Sequence, residues 1–150
     1  MQYQISQSDR QFVEAFETCR IDPESFHHRE HLRLAYCLLV MGGLEATRVR
    51  LKQDLMRFIA HFQADPTKYH ETLTVAWILA VQVFMGRSEP TPSWQEFIDR
   101  CPILLDKEIL FTHYSRERMA SEEARLAFIE PDLEPIPGAE EVLGTTATSP

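Results

Sequence analysis

The sequence predicts an all-α protein: a helical bundle of four main helices, with short C-terminal helices and an extended acidic tail. Three observations carry this. Apolar residues recur at helical spacing through most of the chain from Ser8 to Met85. No alternating polar and apolar runs flank a tight-turn pair, the mark of a β-hairpin. Breaks fall where helices should end, at Asp22-Pro23, Gly42-Gly43, Asp65-Pro66 and Gly86.

Ser8 with Gln11 resembles a capping box. It would open a first helix with Phe12, Val13, Phe16 and Cys19 on one stripe. The second helix is expected from about Ser25 to Met41, stopped by the glycine pair. The third runs from Leu44 to Phe62. Leu44, Leu51, Leu55, Phe58, Ile59 and Phe62 form its apolar stripe, and Arg50, Gln53, Asp54 and Arg57 face water. Asp65-Pro66 is an N-cap followed by proline, which starts a fourth helix that reaches Met85. That helix is apolar nearly all round after Thr74, as a central helix would be. Ser93 with Glu96 caps a short helix carrying Trp94, Phe97 and Ile98. Further short helices are expected at Asp106–Thr112 and Ser121–Phe128. Phe128, Ile129, Leu133 and Ile136 then suit an extended strap over the bundle. Residues 1–137 form one domain by this reading, and 138–150 are too poor in apolar residues to repay the entropy of ordering.

The net charge is −8 and the hydrophobic content 44%, enough for a core without disulfides. Residues 120–150 hold seven acids against Arg125 alone, so the body is close to neutral and its end acidic. No basic stripe exists, which argues against nucleic acid as a partner. Three widely spaced cysteines with no CxxC suit a reducing compartment. The N-terminal MQYQISQSDR lacks an apolar signal core. The longest apolar run, around Thr74–Met85, is too short for a membrane span. A soluble cytoplasmic protein is expected.

The chemistry-bearing candidates are histidines. In FHHREHLRLAY, His28 shares a helix face with Leu32, Ala35 and Leu39, and His31 lies on the shoulder of that face. His27 is off the face. In KYHETLTVAW, His70 shares a face with Leu73, Trp77, Val81 and Phe84. Side chains three apart on a helix can meet on one divalent ion. His28, His31 and His70 are therefore the candidate metal ligands, for zinc, iron or nickel, with His113 as the other choice of third ligand. Glu71 and His113 are the candidate acid–base residues beside them, and Glu30 an alternative carboxylate. His61 shares its face with Arg50, Asp54 and Arg57 and serves as a surface control. The competing reading is structural: such histidines also bond to backbone or tie helices together. HExxH is absent, HxxH arises readily by chance, and Cys37 falls on the polar side of its helix.

The runs FHHREHLRLAY, KYHETLTVAW and LLDKEILFTHYS resemble those of a family of small, uncharacterised bacterial all-α proteins. The likeness covers most of residues 10–135. Its core is Phe26, His28, His31 and Leu32, then Tyr69, His70, Glu71, Thr72 and Thr74, then His113, Tyr114 and Ser115. The resemblance implies a helical fold and a site at these residues, without a reaction. A looser similarity, to DinB-like helical bundles, implies a metal held by histidines of different helices, although the histidine order and spacing here differ. Two functions follow. The leading one is a metal-dependent hydrolase-like or transferase-like bundle acting on a small molecule. The alternative is a non-enzymatic ligand-binding or interaction module with structural histidines.

Overall fold

The first helix starts two residues ahead of the expected cap. Ser6 Oγ accepts from the Asp9 N–H at 3.0 Å, and Asp9 Oδ2 accepts from the Ser6 N–H at 2.9 Å. This is the reciprocal capping box, built on Ser6 and Asp9 instead of Ser8 and Gln11. The computed structural model describes residues 2–147, and no strand occurs among them. The helices are α1 Gln7–Glu17, α2 His28–His61, α3 Glu71–Arg87, α4 Trp94–Arg100, α5 Arg116–Met119, α6 Glu122–Leu126 and α7 Ala139–Ala147. Short 3-10 segments at Pro23–Ser25, Pro66–Lys68, Pro102–Leu105 and Lys107–Thr112 connect them. The fold is all-α, as expected.

The expected second and third helices are the two halves of α2, separated by a kink. Gly43 takes φ 82° and ψ −176° there, a conformation that favours glycine. The first half is buried on every side from Leu34 to Leu39. Cys37 lies in this core and not on a polar face, and burial pushes its thiol up to about 12. In the second half, Leu51, Leu55 and Phe58 face inward as expected. Asp54 is buried with them, at 3% exposure, and does not face water.

α3 is the central helix. Ile78 and Val81 face a core shared with α1, α2 and α4, in which Phe16 stacks between Phe26 and Phe58 at 4.6 and 4.7 Å. Val75, Ala76 and Leu79 face a second core closed by Leu110, Tyr114, Met119, Ile136, Ala139 and Val142. A helix that packs on both sides must be apolar on both sides. It begins at Glu71, five residues later than expected, because Asp65-Pro66 caps only the 3-10 segment Pro66–Lys68.

The strap forms in part. Phe128 and Ile129 pack against the second core, and the Leu133 N–H donates to the His113 carbonyl at 2.9 Å. The Leu133 side chain itself is exposed, contrary to the expected strap packing. Of the tail expected to be disordered from residue 138, Ala139–Ala147 form α7, whose Ala139 and Val142 are buried. Gly138, at φ +92°, brings the chain so close to α3 that a Cβ there would stand 3.3 Å from Leu79 Cδ2. Two small apolar side chains suffice because they complete an existing core. Residues 148–150 lie outside the described residues. No helix among the described residues is long and apolar enough to cross a membrane.

Candidate functional site

Each motif histidine has a place that its helix start dictates. His28 is the first residue of α2. Its Nε2 lies 2.9 Å from the Leu104 carbonyl, and its ring meets Trp77 edge-on at 4.4 Å. A carbonyl only accepts, so Nε2 carries the proton. Burial lowers the His28 pKa, the Leu104 bond opposes this and Lys107 adds to it. His31, one turn on, tilts over Phe26 at 4.2 Å with an exposed surface. Surrounding protein and His28 pull its pKa down, an effect that water at the exposed ring counteracts.

His70 is the N-cap of α3. Its Nδ1 accepts from the Leu73 N–H at 3.0 Å and its Nε2–H donates to the Met119 carbonyl at 2.8 Å. Both ring nitrogens are engaged, so neither is free for a metal. His113 donates from Nδ1 to the Glu134 carbonyl at 2.8 Å. Glu71 accepts from the Tyr69 hydroxyl at 2.6 Å and stands 3.8 Å from Lys52 Nζ. Burial and Glu71 together push the Tyr69 phenol upward.

The structure brings His28 and His31 near one another but does not bring His70 to them, and His113 lies on the strap side. Among the described residues, no group of three His, Cys, Asp or Glu side chains could hold one metal ion. The expected set of His28, His31 and His70, with Glu71 and His113 beside it, is not gathered into such a group among the described residues. The rest of the motif follows the same logic. Thr72 Oγ1 donates to the Ala127 carbonyl at 2.7 Å and accepts from the Ile129 N–H at 3.1 Å. Tyr114 donates to the Ile129 carbonyl at 2.6 Å, and Asp132 takes the Ser115 N–H and hydroxyl at 2.8 and 2.6 Å. Thr72 fastens the chain after α6 to α3, and Tyr114 and Ser115 fasten the C-terminal segments to one another, by satisfying backbone groups that irregular structure leaves unpaired.

A cleft lies elsewhere, where the starts of α1, α2 and α4 meet. It encloses about 370 Å³, and Asp9, Arg29, Glu30, Arg33, Trp94 and Gln95 line it with Ser6, Ser8 and Ser93. Asp9, 2% exposed, is its anchor. The carboxylate accepts from the N–H groups of Ser6 and Trp94 at 2.9 and 3.1 Å and from Arg33 Nε at 3.1 Å. Burial works against the charge, but these donors outweigh it and hold the carboxyl below its ordinary range. Arg33 lies over the Phe12 ring at 4.4 Å and Arg29 over Trp94 at 5.7 Å. Arg29 Nη2 donates to Gln95 Oε1 at 2.8 Å. Neither guanidinium uses Nη1 in a hydrogen bond among the described residues. Two planar cations held by aromatic faces, with unused donors, can receive a carboxylate or phosphate.

The chain reading passed over this cleft. The Ser6-to-Asp9 spacing before an apolar run was a legible cap. That Asp9 also holds Trp94, 85 residues away, was not.

Compared with known proteins, the chain matches no family model, no curated protein and no solved structure.

Proposed function

We propose that this protein is a non-enzymatic module that binds a small anionic ligand in the cleft at Arg29 and Arg33, with its motif histidines acting as structural fasteners. One observation carries the reading. The imidazoles of His28, His70 and His113 each bond a backbone carbonyl, whereas the two arginines of the cleft between the starts of α1, α2 and α4 keep donors unused. Asp9 already pairs with Arg33 at 3.0 Å and Glu30 also lines the cleft, so a monoanionic carboxylate or phosphate group suits it better than a polyanion.

Calorimetric titration of tag-free protein with inorganic phosphate and with acetate tests this. Saturable binding of at least one is expected, and Arg29→Gln should abolish it while leaving the melting temperature nearly unchanged. Absence of binding, or binding that Arg29→Gln leaves intact, overturns the proposal. The metal-dependent reading makes an opposite prediction. It requires zinc, iron or nickel to survive dialysis and to be lost in His28→Ala, which elemental analysis decides.

A further inference from the structure

We propose that Glu17 and Asp54 share one proton and form a pH-sensitive latch between the C-terminal end of α1 and the second half of α2. The observation that leads here is an orphaned atom. Asp54 is 3% exposed, and its Oδ1 takes a bond from Arg57 Nη1 at 3.0 Å. Its Oδ2 is buried and has no donor. Beside it stands Glu17, whose two carboxylate oxygens are both held by Arg50, from Nε at 2.6 Å and Nη2 at 2.7 Å. A buried carboxylate oxygen without a donor is costly. A proton on Oδ2 removes that cost, because Asp54 then donates to the Glu17 carboxylate. Two carboxyl groups in contact can hydrogen-bond only if one of them keeps a proton.

The charges around the pair fix which one keeps it. Arg50 grips Glu17 bidentately and holds its carboxyl below the ordinary range, against its burial. Asp54 is pushed the other way, to about 7, by burial first and then by Glu17, with Arg57 opposing. The charged groups facing the pair are Glu17 from α1 and Arg50 and Arg57 from α2. Arg10 and Glu14 line the adjoining hollow of about 260 Å³, which Glu17 and Arg50 also border. Arg57 Nη1 also donates to the Glu17 backbone carbonyl at 3.3 Å, so the cluster joins the end of α1 to α2 by main chain and side chain together.

The direction follows from linkage. The folded state raises the Asp54 pKa above the unfolded value of 3.8, so it holds a proton that the unfolded chain has released. The stabilisation is full at acid pH and declines as pH rises toward about 7, above which it is gone. Deprotonation puts a second negative charge, buried on Asp54, beside the half-buried Glu17, and their repulsion loosens the end of α1.

Carbon NMR of aspartate-labelled protein reads the proton directly. The Asp54 carboxyl signal is assigned as the one missing from Asp54→Asn. Its midpoint should lie near 7 in the parent chain and fall by a unit or more in Glu17→Gln. A midpoint near 4, or one that Glu17→Gln leaves in place, overturns the shared proton. Amide hydrogen exchange at Phe16 and Glu17, corrected for intrinsic rates, reads the latch. Protection should drop about tenfold or more between pH 6 and pH 8 in the parent chain. It should stay level in Asp54→Asn, whose amide NH₂ donates to Glu17 at every pH. A near-neutral midpoint with unchanged protection overturns the latch. If Asp54→Asn does not fold, Glu17→Gln supplies the comparison for both measurements.

Discussion

His70 bonds to backbone through both of its ring nitrogens. It closes the start of α3 through Leu73 and anchors Met119 through the opposite nitrogen. His70→Ala removes a cap and leaves a carbonyl unpaired, for a loss of roughly 1–3 kcal/mol in denaturant unfolding. His61 is exposed and makes only an edge contact with Phe62. His61→Ala should therefore stay within about ±0.5 kcal/mol. Similar midpoints for the two variants would contradict the fastener role. His28 adds a pH signature. Burial lowers its folded pKa below the ordinary 6.5, so the unfolded chain takes up a proton that the folded one resists. Its contribution is complete above about 6.5 and is lost as pH falls below it. His28→Gln keeps a donor for Leu104 and removes the titration. Its melting temperature should fall less than the parent's between about pH 7 and about pH 5. Equal falls would assign the acid sensitivity to other groups.

Elements are joined here by backbone conformations that only certain residues allow. Gly43 divides α2 at φ 82°, and a Cβ there would meet nothing within 4 Å. The cost of Gly43→Ala is thus conformational, about 1–3 kcal/mol of backbone strain. Gly86 lies in open space near the end of α3 with no positive φ. Gly86→Ala should stabilise by about 0.4–1 kcal/mol through the unfolded chain. Thermal melts of the pair give opposite signs if this account is right. A destabilised Gly86→Ala would show that the end of α3 needs the freedom of glycine.

Across the whole molecule, α3 stands between two cores, and the second is closed mainly by Leu110 and residues after it. Stability is therefore distributed toward the C-terminus more than composition suggests. Ending the chain after Pro137 removes Ala139 and Val142 from that core. The loss should be about 1.5–3 kcal/mol, the value of burying one aliphatic side chain of this size. Ending it before Phe128 also removes Phe128, Ile129 and Ile136, with the bonds of Ile129 to Thr72 and Tyr114, and should lower the melting temperature much further. Equal melting temperatures for the full chain and the chain ending at Pro137 would mean that α7 adds nothing.

Helical periodicity is local, so the sequence by itself determined the all-α class, the inward Val13 and Phe16 of α1, the inward Leu51, Leu55 and Phe58 of the second half of α2, the break at Gly42-Gly43 and the central rank of α3. Each depends on residues within a few turns of one another. The site was legible only as a set of unusual residues. The partners of His28, His70 and His113 are backbone carbonyls 76, 49 and 21 residues away. Every residue has a carbonyl, so no pattern in the chain marks the one that a histidine will find. The face assigned to His70 also assumed a helix running from Asp65. The 3-10 segment at Pro66–Lys68 delays α3 and makes His70 its cap. Asp54 and Cys37 were misplaced for a related reason. A polar residue amid polar neighbours reads as solvated until another element covers it, and α1 brings Glu17 over Asp54. Tertiary packing alone decided burial, and with it which charges are held, which proton is shared and where a cleft opens.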